Sequence, residues 1–370
     1  GDHRDLHLSI RRQRQMCIRD SLDATIHVWD PATGDELKVL DRHRLNVFSI
    51  SVSPDNKSLV SVSDQEGSLL VWDLESDQVR ESLRVGQGVI TSLAFAPGDK
   101  TLGMVGFNGL IQLRRLSDDA IRPMTGASGI FHPLAFLSED RFAVITDQGT
   151  VVIGSISNSQ LTELTGSTIR PLSLMASRDG KLVAVGGEGG DVVVWDTTTD
   201  KIVTTFTTDL NLVTRLVFSY NSDWLAIVGP SNQPGIEVWD VKSAKRTQVL
   251  TGPTGQISGL DFQPGGTLVA ATSVDGTLRL WDAESGLPVR KIDAAAGQGF
   301  FTCVSFSPDG TLLATGARNG ALQLWDVRSG EQAAQYRLTS QIFSVGFSQD
   351  GSILAASVDG SVALFMRTAS

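Results

Sequence analysis

The chain has 370 residues, a formal net charge of −10 at pH 7 and 41% hydrophobic residues, which is enough apolar material for a large core. An acidic protein of this kind is poorly suited to neutralising phosphates, so nucleic acid is not an expected partner. The sequence contains no apolar run long enough to predict a membrane span.

The first segment differs from everything that follows it. Residues 11–21 read RRQRQMCIRDS, with four arginines and no glycine. A transit peptide or a basic nucleic-acid arm would also be Arg-rich, but back-translation of residues 1–21 resembles sequencing-library adapters around a sample index. We therefore expect residues 1–21 to be a non-native adapter-derived segment of metagenomic origin, and residues 22–370 to be the protein. Because the native N-terminus would then be missing, localisation is left unpredicted.

From residue 22 onward the chain repeats a motif that ends in Trp-Asp. Six copies carry the intact dipeptide and end at Asp30, Asp73, Asp196, Asp240, Asp282 and Asp326. Weaker copies end at Arg115, Ser155 and Met366. The tryptophans of adjoining copies are 42 to 44 residues apart, and a period of roughly 40–45 residues with a terminal Trp-Asp is typical of WD-repeat β-propellers.

One repeat shows why each copy should form four strands. Val304 and Phe306 alternate with serines, which predicts a strand a. The SPDG sequence at 307–310 predicts a turn, and the apolar run after it predicts a buried strand b. Asn-Gly at 319–320 predicts a hairpin turn into strand c, and a more polar strand d follows. Four antiparallel strands of this kind form one blade, whose faces are buried by its neighbours.

The recurrence of Trp-Asp over residues 22–370 resembles the WD-repeat family, in its divergent bacterial form. The resemblance implies a hydrogen-bond network in each blade, made by a histidine before strand a, a Ser or Thr in strand b, a turn aspartate and the strand-c tryptophan. Only His43 matches the histidine, and Asp275 and Asp359 match the turn aspartate. Asn108, Gln148 and Asn319 replace it, so we expect weaker pinning of the blades.

The repeat count predicts an all-β β-propeller of eight blades. Residues 22–40 supply only strands c and d, and residues 342–366 supply only a, b and c. Pairing of 36–40 with 361–365 would complete the last blade and remove two exposed edges. The alternative is a seven-bladed ring, closed by the strand near Gln78–Arg84, plus a remnant of a preceding propeller.

No residue set in the chain predicts catalysis or a bound cofactor. Without residues 1–21, Cys303 is the last cysteine, and its position in strand a suggests a small buried side chain. His27, His43 and His132 are scattered, and the aspartates recur at turns. No phosphate loop and no nucleophile elbow are present. We therefore predict no catalytic residue, no metal and no cofactor, and expect the protein not to be an enzyme.

Function should then depend on a surface. In WD-repeat proteins, partners usually dock on the face built by the b–c and d–a loops, here called the loop face. The residue two before the b–c glycine tends to point there. The candidates are Gln65, Phe107, Asp147, Glu188, Val274, Arg318 and Val358, with Phe131 and Phe300 as loop aromatics nearby.

The expected function is a non-catalytic scaffold that binds a protein or peptide partner through the loop face. We expect a monomer that forms part of a larger bacterial protein. The alternatives are a sensory or regulatory propeller fused to a kinase, protease, nucleotidase or cytochrome, and a redox or hydrolytic propeller enzyme.

Overall fold

A computed structural model describes residues 26–29, 36–42, 47–52, 58–63, 68–73, 76, 78–84, 90–95, 101–106, 111–115, 121–124, 134–146, 149–158, 160–233, 235–297, 299–338, 341–347, 353–358 and 361–366. The proposed adapter segment 1–21 lies outside these residues. The chain divides into two compact units, one of residues 1–93 with 295–370 and one of residues 94–294.

Six blades have four antiparallel strands whose three ladders are all defined residue by residue. Blade 1 comprises β3 (Val47–Val52), β4 (Ser58–Ser63), β5 (Ser68–Asp73) and β6 (Gln78–Arg84). Blade 2 comprises β11 (Ala135–Phe136), β12 (Arg141–Ile145), β13 (Val151–Ser155) and β14 (Leu161–Glu163). Blade 3 comprises β15 (Pro171–Ala176), β16 (Leu182–Gly187), β17 (Asp191–Asp196) and β18 (Lys201–Thr207). Blade 4 comprises β19 (Arg215–Phe218), β20 (Trp224–Val228), β21 (Ile236–Asp240) and β22 (Lys245–Leu250). Blade 5 comprises β23 (Ile257–Phe262), β24 (Leu268–Ser273), β25 (Thr277–Asp282) and β26 (Pro288–Asp293). Blade 6 comprises β27 (Phe301–Phe306), β28 (Leu312–Ala317), β29 (Ala321–Asp326) and β30 (Gln332–Arg337).

Two further sheets complete the described strands. One has the order β10-β9-β8-β7 and comprises β7 (Ile90–Phe95), β8 (Thr101–Gly106), β9 (Ile111–Arg115) and β10 (Ile121–Met124). The other, the terminal sheet, has five strands in the order β2-β1-β33-β32-β31. It comprises β1 (Ile26–Trp29), β2 (Glu36–Leu40), β31 (Ile342–Phe347), β32 (Ile353–Val358) and β33 (Ser361–Met366).

The sequence was right about the propeller of four-stranded antiparallel blades and wrong about its count. Within the described residues, six blades have all three ladders defined, rather than the predicted eight or the alternative seven. The proposed closure is also wrong, because β2 does not pair with β33. Instead β1 lies between them, antiparallel to β2 along its whole length and parallel to β33 through Trp29 and Phe365.

The physical reason for this correction is local. Strands β1 and β2 are close in sequence, and consecutive antiparallel strands pair more readily with each other than with a distant strand. The hairpin therefore stays intact and adds two strands to the terminal sheet. The strand at Gln78–Arg84 pairs with β5 in blade 1, so the alternative closure is wrong as well.

The core lies between successive blades within each unit, as a stacked repeat requires. In one cluster, Val238 and Leu250 of blade 4 pack with Leu260, Val269 and Trp281 of blade 5. Strand d of blade 3 is far more exposed than strands b and c, as the polar sequence predicted. The predicted SPDG turn is confirmed in blade 6, where the Gly310 N–H donates to the Ser307 carbonyl at 2.8 Å and Gly310 has φ +68°.

Candidate functional site

Three of the predicted loop-face residues occupy one repeated position, immediately after strand b. They are Glu188, Val274 and Arg318. Each donates its backbone N–H to a residue at the start of strand a, which extends the a–b ladder by one step. The acceptors are the carbonyl oxygens of Arg170, Gln256 and Phe300, at 3.0, 2.9 and 3.0 Å. The structure therefore places these three side chains at the same end of their respective blades.

Arg318 and Phe300 form the one pair of predicted site residues in direct contact among the residues described. The guanidinium carbon of Arg318 lies 5.4 Å from the centroid of the Phe300 ring, within the range of a cation–π interaction. Arg318 is exposed and Phe300 is half-buried. In the described part of the chain Arg318 has no carboxylate partner, so its charge is available to a ligand.

The loop beneath this pair is held by the turn residue that replaces the family's aspartate. The Asn319 Oδ1 accepts from the Ala321 N–H at 3.0 Å, and its Nδ2 donates to the Gly297 carbonyl at 3.2 Å. Gly320, at φ +85°, completes the hairpin turn. Asn319 thus links the b–c turn to the loop before strand a, which fixes Arg318 relative to Phe300.

Glu188 is already engaged with its own surroundings. Its carboxylate lies 3.6 Å from Arg170, and both side chains are at least half exposed, so the pair contributes about 0–1 kcal/mol. Glu188 also forms a β-bridge with Leu212, and the next residue, Gly189, donates to the Asn211 carbonyl at 2.8 Å. This position ties two blades together as well as facing solvent.

Val274 lies beside a turn aspartate that pins the d–a loop. Val274 is 39% exposed. The Asp275 Oδ2 accepts from the Thr254 N–H at 2.7 Å and its Oδ1 accepts from the Thr277 N–H at 2.9 Å. Burial raises the pKa of Asp275, but these donors outweigh burial and hold the pKa below its ordinary value. Asp275 therefore stays ionised and performs the pinning role that the resemblance implied.

The other predicted site residues are not brought into view. Gln65, Phe107, Asp147 and Phe131 lie outside the described residues. Val358 is the last residue of β32 and pairs with Ile342 and Ser361; its side chain is outside the description. His43 and His132 lie outside the described residues, and His27 lies in β1 with its side chain outside the description.

The Ser/Thr–tryptophan contact of the implied network is present in two of the described blades. The Trp72 Nε1–H donates to the Ser61 Oγ at 2.7 Å, and the Trp325 Nε1–H donates to the Thr315 Oγ1 at 2.9 Å. Each acceptor lies on strand b beside the tryptophan's strand. In blade 3 the equivalent residue is Val185, and among the described residues the Nε1 of Trp195 has no acceptor.

Sequence reasoning missed a buried charge in blade 4. Glu237 is only 4% exposed, and its Oε2 accepts from the Trp239 Nε1–H at 2.7 Å. Its Oε1 accepts from the Asp209 N–H at 3.1 Å and from Arg246 at 3.2 Å. The ring of Phe206 stacks on Trp239 at 4.2 Å. The available signal was a glutamate two residues before Trp-Asp, a position that the other intact copies do not fill with an acid.

This arrangement is structural rather than catalytic in geometry. Glu237 has three donors on its two oxygens, so the buried carboxylate is compensated. The pKa of Arg246 is raised, first by its hydrogen bond to Asp209 and further by Glu237. In the described residues, no three His, Cys, Asp or Glu side chains group together as a metal would require. The described part of the chain contains no helix that is long and apolar enough to cross a membrane.

Antiparallel four-stranded blades that stack face to face define the fold as a β-propeller. Matches to the WD domain, G-beta repeat model cover residues 34–73, 244–282, 287–326 and 333–365. Together with the repeated Trp-Asp strands, these matches support assignment of the chain to the WD-repeat β-propeller family.

Known proteins agree with this assignment. The chain is 29% identical over 280 residues to "Cell division cycle 20.1, cofactor of APC complex" of Arabidopsis thaliana, covering 71% of this chain and 60% of that protein. It is 23% identical to the guanine nucleotide-binding protein subunit beta of Oryza sativa subsp. japonica, covering 75% of this chain and 68% of that protein. A crystal structure of the computationally designed Ika8 protein has the same fold, with a TM-score of 0.72, 19% identity and coverage of 95% and 99%.

Proposed function

We propose that this protein is a non-catalytic scaffold that binds a protein or peptide partner through its loop face, with Arg318 and Phe300 at the centre of the site. The observation that carries the proposal is the exposed guanidinium held over an aromatic ring at 5.4 Å. Arginine and aromatic residues are enriched among the side chains that dominate binding energy at protein interfaces.

The local geometry suits this role for a physical reason. A guanidinium presents several N–H donors in a rigid plane, and stacking on a ring leaves those donors free to bind a carboxylate or a backbone carbonyl. Because Asn319 ties the underlying loop to the turn, little entropy remains to be lost when a partner binds. Glu188 and Val274 belong to the same proposed face by their repeated position, each in its own blade.

The relatives support the proposal at a coarser level. By name, one is a cofactor of a complex and another is a subunit of a guanine nucleotide-binding protein. Both descriptions are of proteins that work within an assembly. The chain covers 60% of the first relative, so the identity of any partner here is a separate question.

Affinity capture followed by measurement of Kd with the recovered partner tests the proposal. The Arg318→Gln, Phe300→Ala double variant should weaken the binding free energy by about 2 kcal/mol or more, as loss of a central Arg–aromatic anchor does. Arg328→Gln is the matched control, because it removes the same charge from the exposed c–d turn at the other end of blade 6. A Kd that is unchanged in the double variant, or raised equally in the control, would contradict the proposal.

A further inference from the structure

A second exposed arginine–aromatic pair lies between blades 3 and 4. The guanidinium carbon of Arg178 is 4.6 Å from the centroid of the Tyr220 ring. Tyr220 is 47% exposed, and Arg178 is exposed as well. The two residues come from the turns between strands a and b, which are at the opposite end of a blade from the b–c turns of the loop face. The pair is therefore separate from the site proposed above.

Both turns are held rigidly by the same local device. In blade 3 the Ser177 Oγ donates to Asp179 at 2.7 Å, and the Gly180 N–H donates to the Ser177 carbonyl at 2.9 Å. In blade 4 the Ser219 Oγ is 2.8 Å from the Asn221 Oδ1, and the Ser222 N–H donates to the Ser219 carbonyl at 2.9 Å. Arg178 and Tyr220 each follow the first serine, so both are displayed from the tip of a closed turn.

The tip residues of the other described turns between strands a and b are unlike this pair. The equivalent position is Glu139 in blade 2, Pro264 in blade 5 and Pro308 in blade 6. Turn chemistry is satisfied by the flanking Ser and Asp or Asn, so nothing in the turn itself requires an arginine or a tyrosine. Their apposition on adjacent blades needs another explanation.

Electrostatics indicate what the pair would bind. The neighbouring carboxylates are already matched, since Asp179 lies 3.3 Å from Lys181 and Asp223 lies 2.5 Å from Lys242. Within the described residues Arg178 forms no ion pair. Its contact with Tyr220 is through the ring face, which leaves the planar N–H donors for a carboxylate.

We infer that Arg178 and Tyr220 form a second docking site, for a protein segment that carries an Asp or Glu next to an apolar side chain. The carboxylate accepts from the Arg178 guanidinium, and the apolar side chain covers the exposed part of the Tyr220 ring. A charged pair at such a site favours one orientation of the partner and rejects segments without the acid.

Selection of random linear peptides displayed on phage against the intact protein tests the inference. Each selected peptide is then measured against Arg178→Gln, Tyr220→Ala and the control Arg328→Gln. We expect a class of peptides enriched in Asp or Glu whose Kd weakens about tenfold in the first two variants and is unchanged in the third. Tyr220→Phe, which keeps the ring, should retain binding.

Replacing the acid in those peptides with its amide separates direct contact from a general charge effect. The amide peptide should bind the wild-type protein about tenfold more weakly, with no further loss on Arg178→Gln. The inference is overturned if no peptide depends on Arg178, if the dependent peptides are not enriched in acids, or if the two losses add. Because both residues are exposed, thermal melts of the variants should match the wild type.

Discussion

Blades 4 and 6 satisfy the same buried tryptophan in different ways. In blade 6 a strand-b hydroxyl, that of Thr315, accepts from Trp325. In blade 4 strand b carries Ile227 instead, and Glu237 on the tryptophan's own strand accepts from Trp239. The comparison shows that the acceptor near the indole need not be a particular residue type. A charged acceptor then requires a partner of its own, which Arg246 supplies.

Removing that partner should expose the difference most strongly. Arg246→Met leaves the buried Glu237 without its cation, and because the Arg246 side chain is 35% exposed we expect a loss of about 2–3 kcal/mol, at or below the lower end for a fully buried pair. In blade 6 the equivalent contact is neutral, from the Gln323 Nε2–H to Gln332 at 2.7 Å, and Gln332→Met should cost about 1 kcal/mol. Urea unfolding of the two variants measures both losses, and equal losses would show that the charge on Glu237 is not what distinguishes the blades.

Deleting the neutral acceptor should have an intermediate effect. Thr315→Val keeps the shape of the side chain but leaves the buried Trp325 N–H without an acceptor, which costs about 1–3 kcal/mol. The variant should unfold at a lower urea concentration with an unchanged slope. Thr311→Val, in the exposed turn of the same blade, is the control for a general effect of removing a hydroxyl.

The converse change in blade 3 should be favourable. Val185 is fully buried on strand b, where Trp195 has no acceptor among the described residues. Val185→Thr introduces the hydroxyl that blade 6 already has, and a satisfied hydrogen bond contributes about 1 kcal/mol. A rise in the free energy of unfolding would support the comparison, and a loss would mean that blade 3 has no room to orient the hydroxyl.

Acid should affect the two blades alike, because each ends strand c with an aspartate that caps the next turn. Hydrogen bonds from Ser243 and Ser329 lower the pKa values of Asp240 and Asp326. A lowered folded-state pKa contributes stability above the unfolded value of about 3.9 and loses it as the pH falls through the folded-state pKa. Tm should be flat from pH 8 to 5 and decline below about pH 4. A decline that begins near pH 6 would implicate other groups.

The smallest expected effect is at the N-terminus. If residues 1–21 are adapter-derived, a chain that begins at Leu22 should have the same Tm as the full chain, since no native contact would be removed. The blade 4 and blade 6 variants above should then keep their ranking in the shortened chain. A loss of several degrees on deletion would refute the adapter interpretation.

Much of the propeller was predictable from local pattern. Alternation at Val304 and Phe306, the turn at 307–310 and the Trp-Asp strands each act within one blade, and short-range hydrogen bonding determines them. The exposed positions of Val274 and Arg318 were predictable for the same reason, since both follow strand b by repeat register. The sequence likewise predicted a buried Cys303, which is confirmed.

Only the tertiary structure decided which distant groups meet. Pairing of β1, rather than β2, with β33 depends on competition between a local hairpin and a distant edge, which the repeat pattern does not encode. The contacts of Glu237 with Arg246 and of Arg178 with Tyr220 are also invisible in a one-dimensional register. Each contact depends on side-chain direction and on the distance between neighbouring strands or blades. The sequence by itself therefore determined the blade and its turns, whereas packing determined which charged groups and rings come into contact.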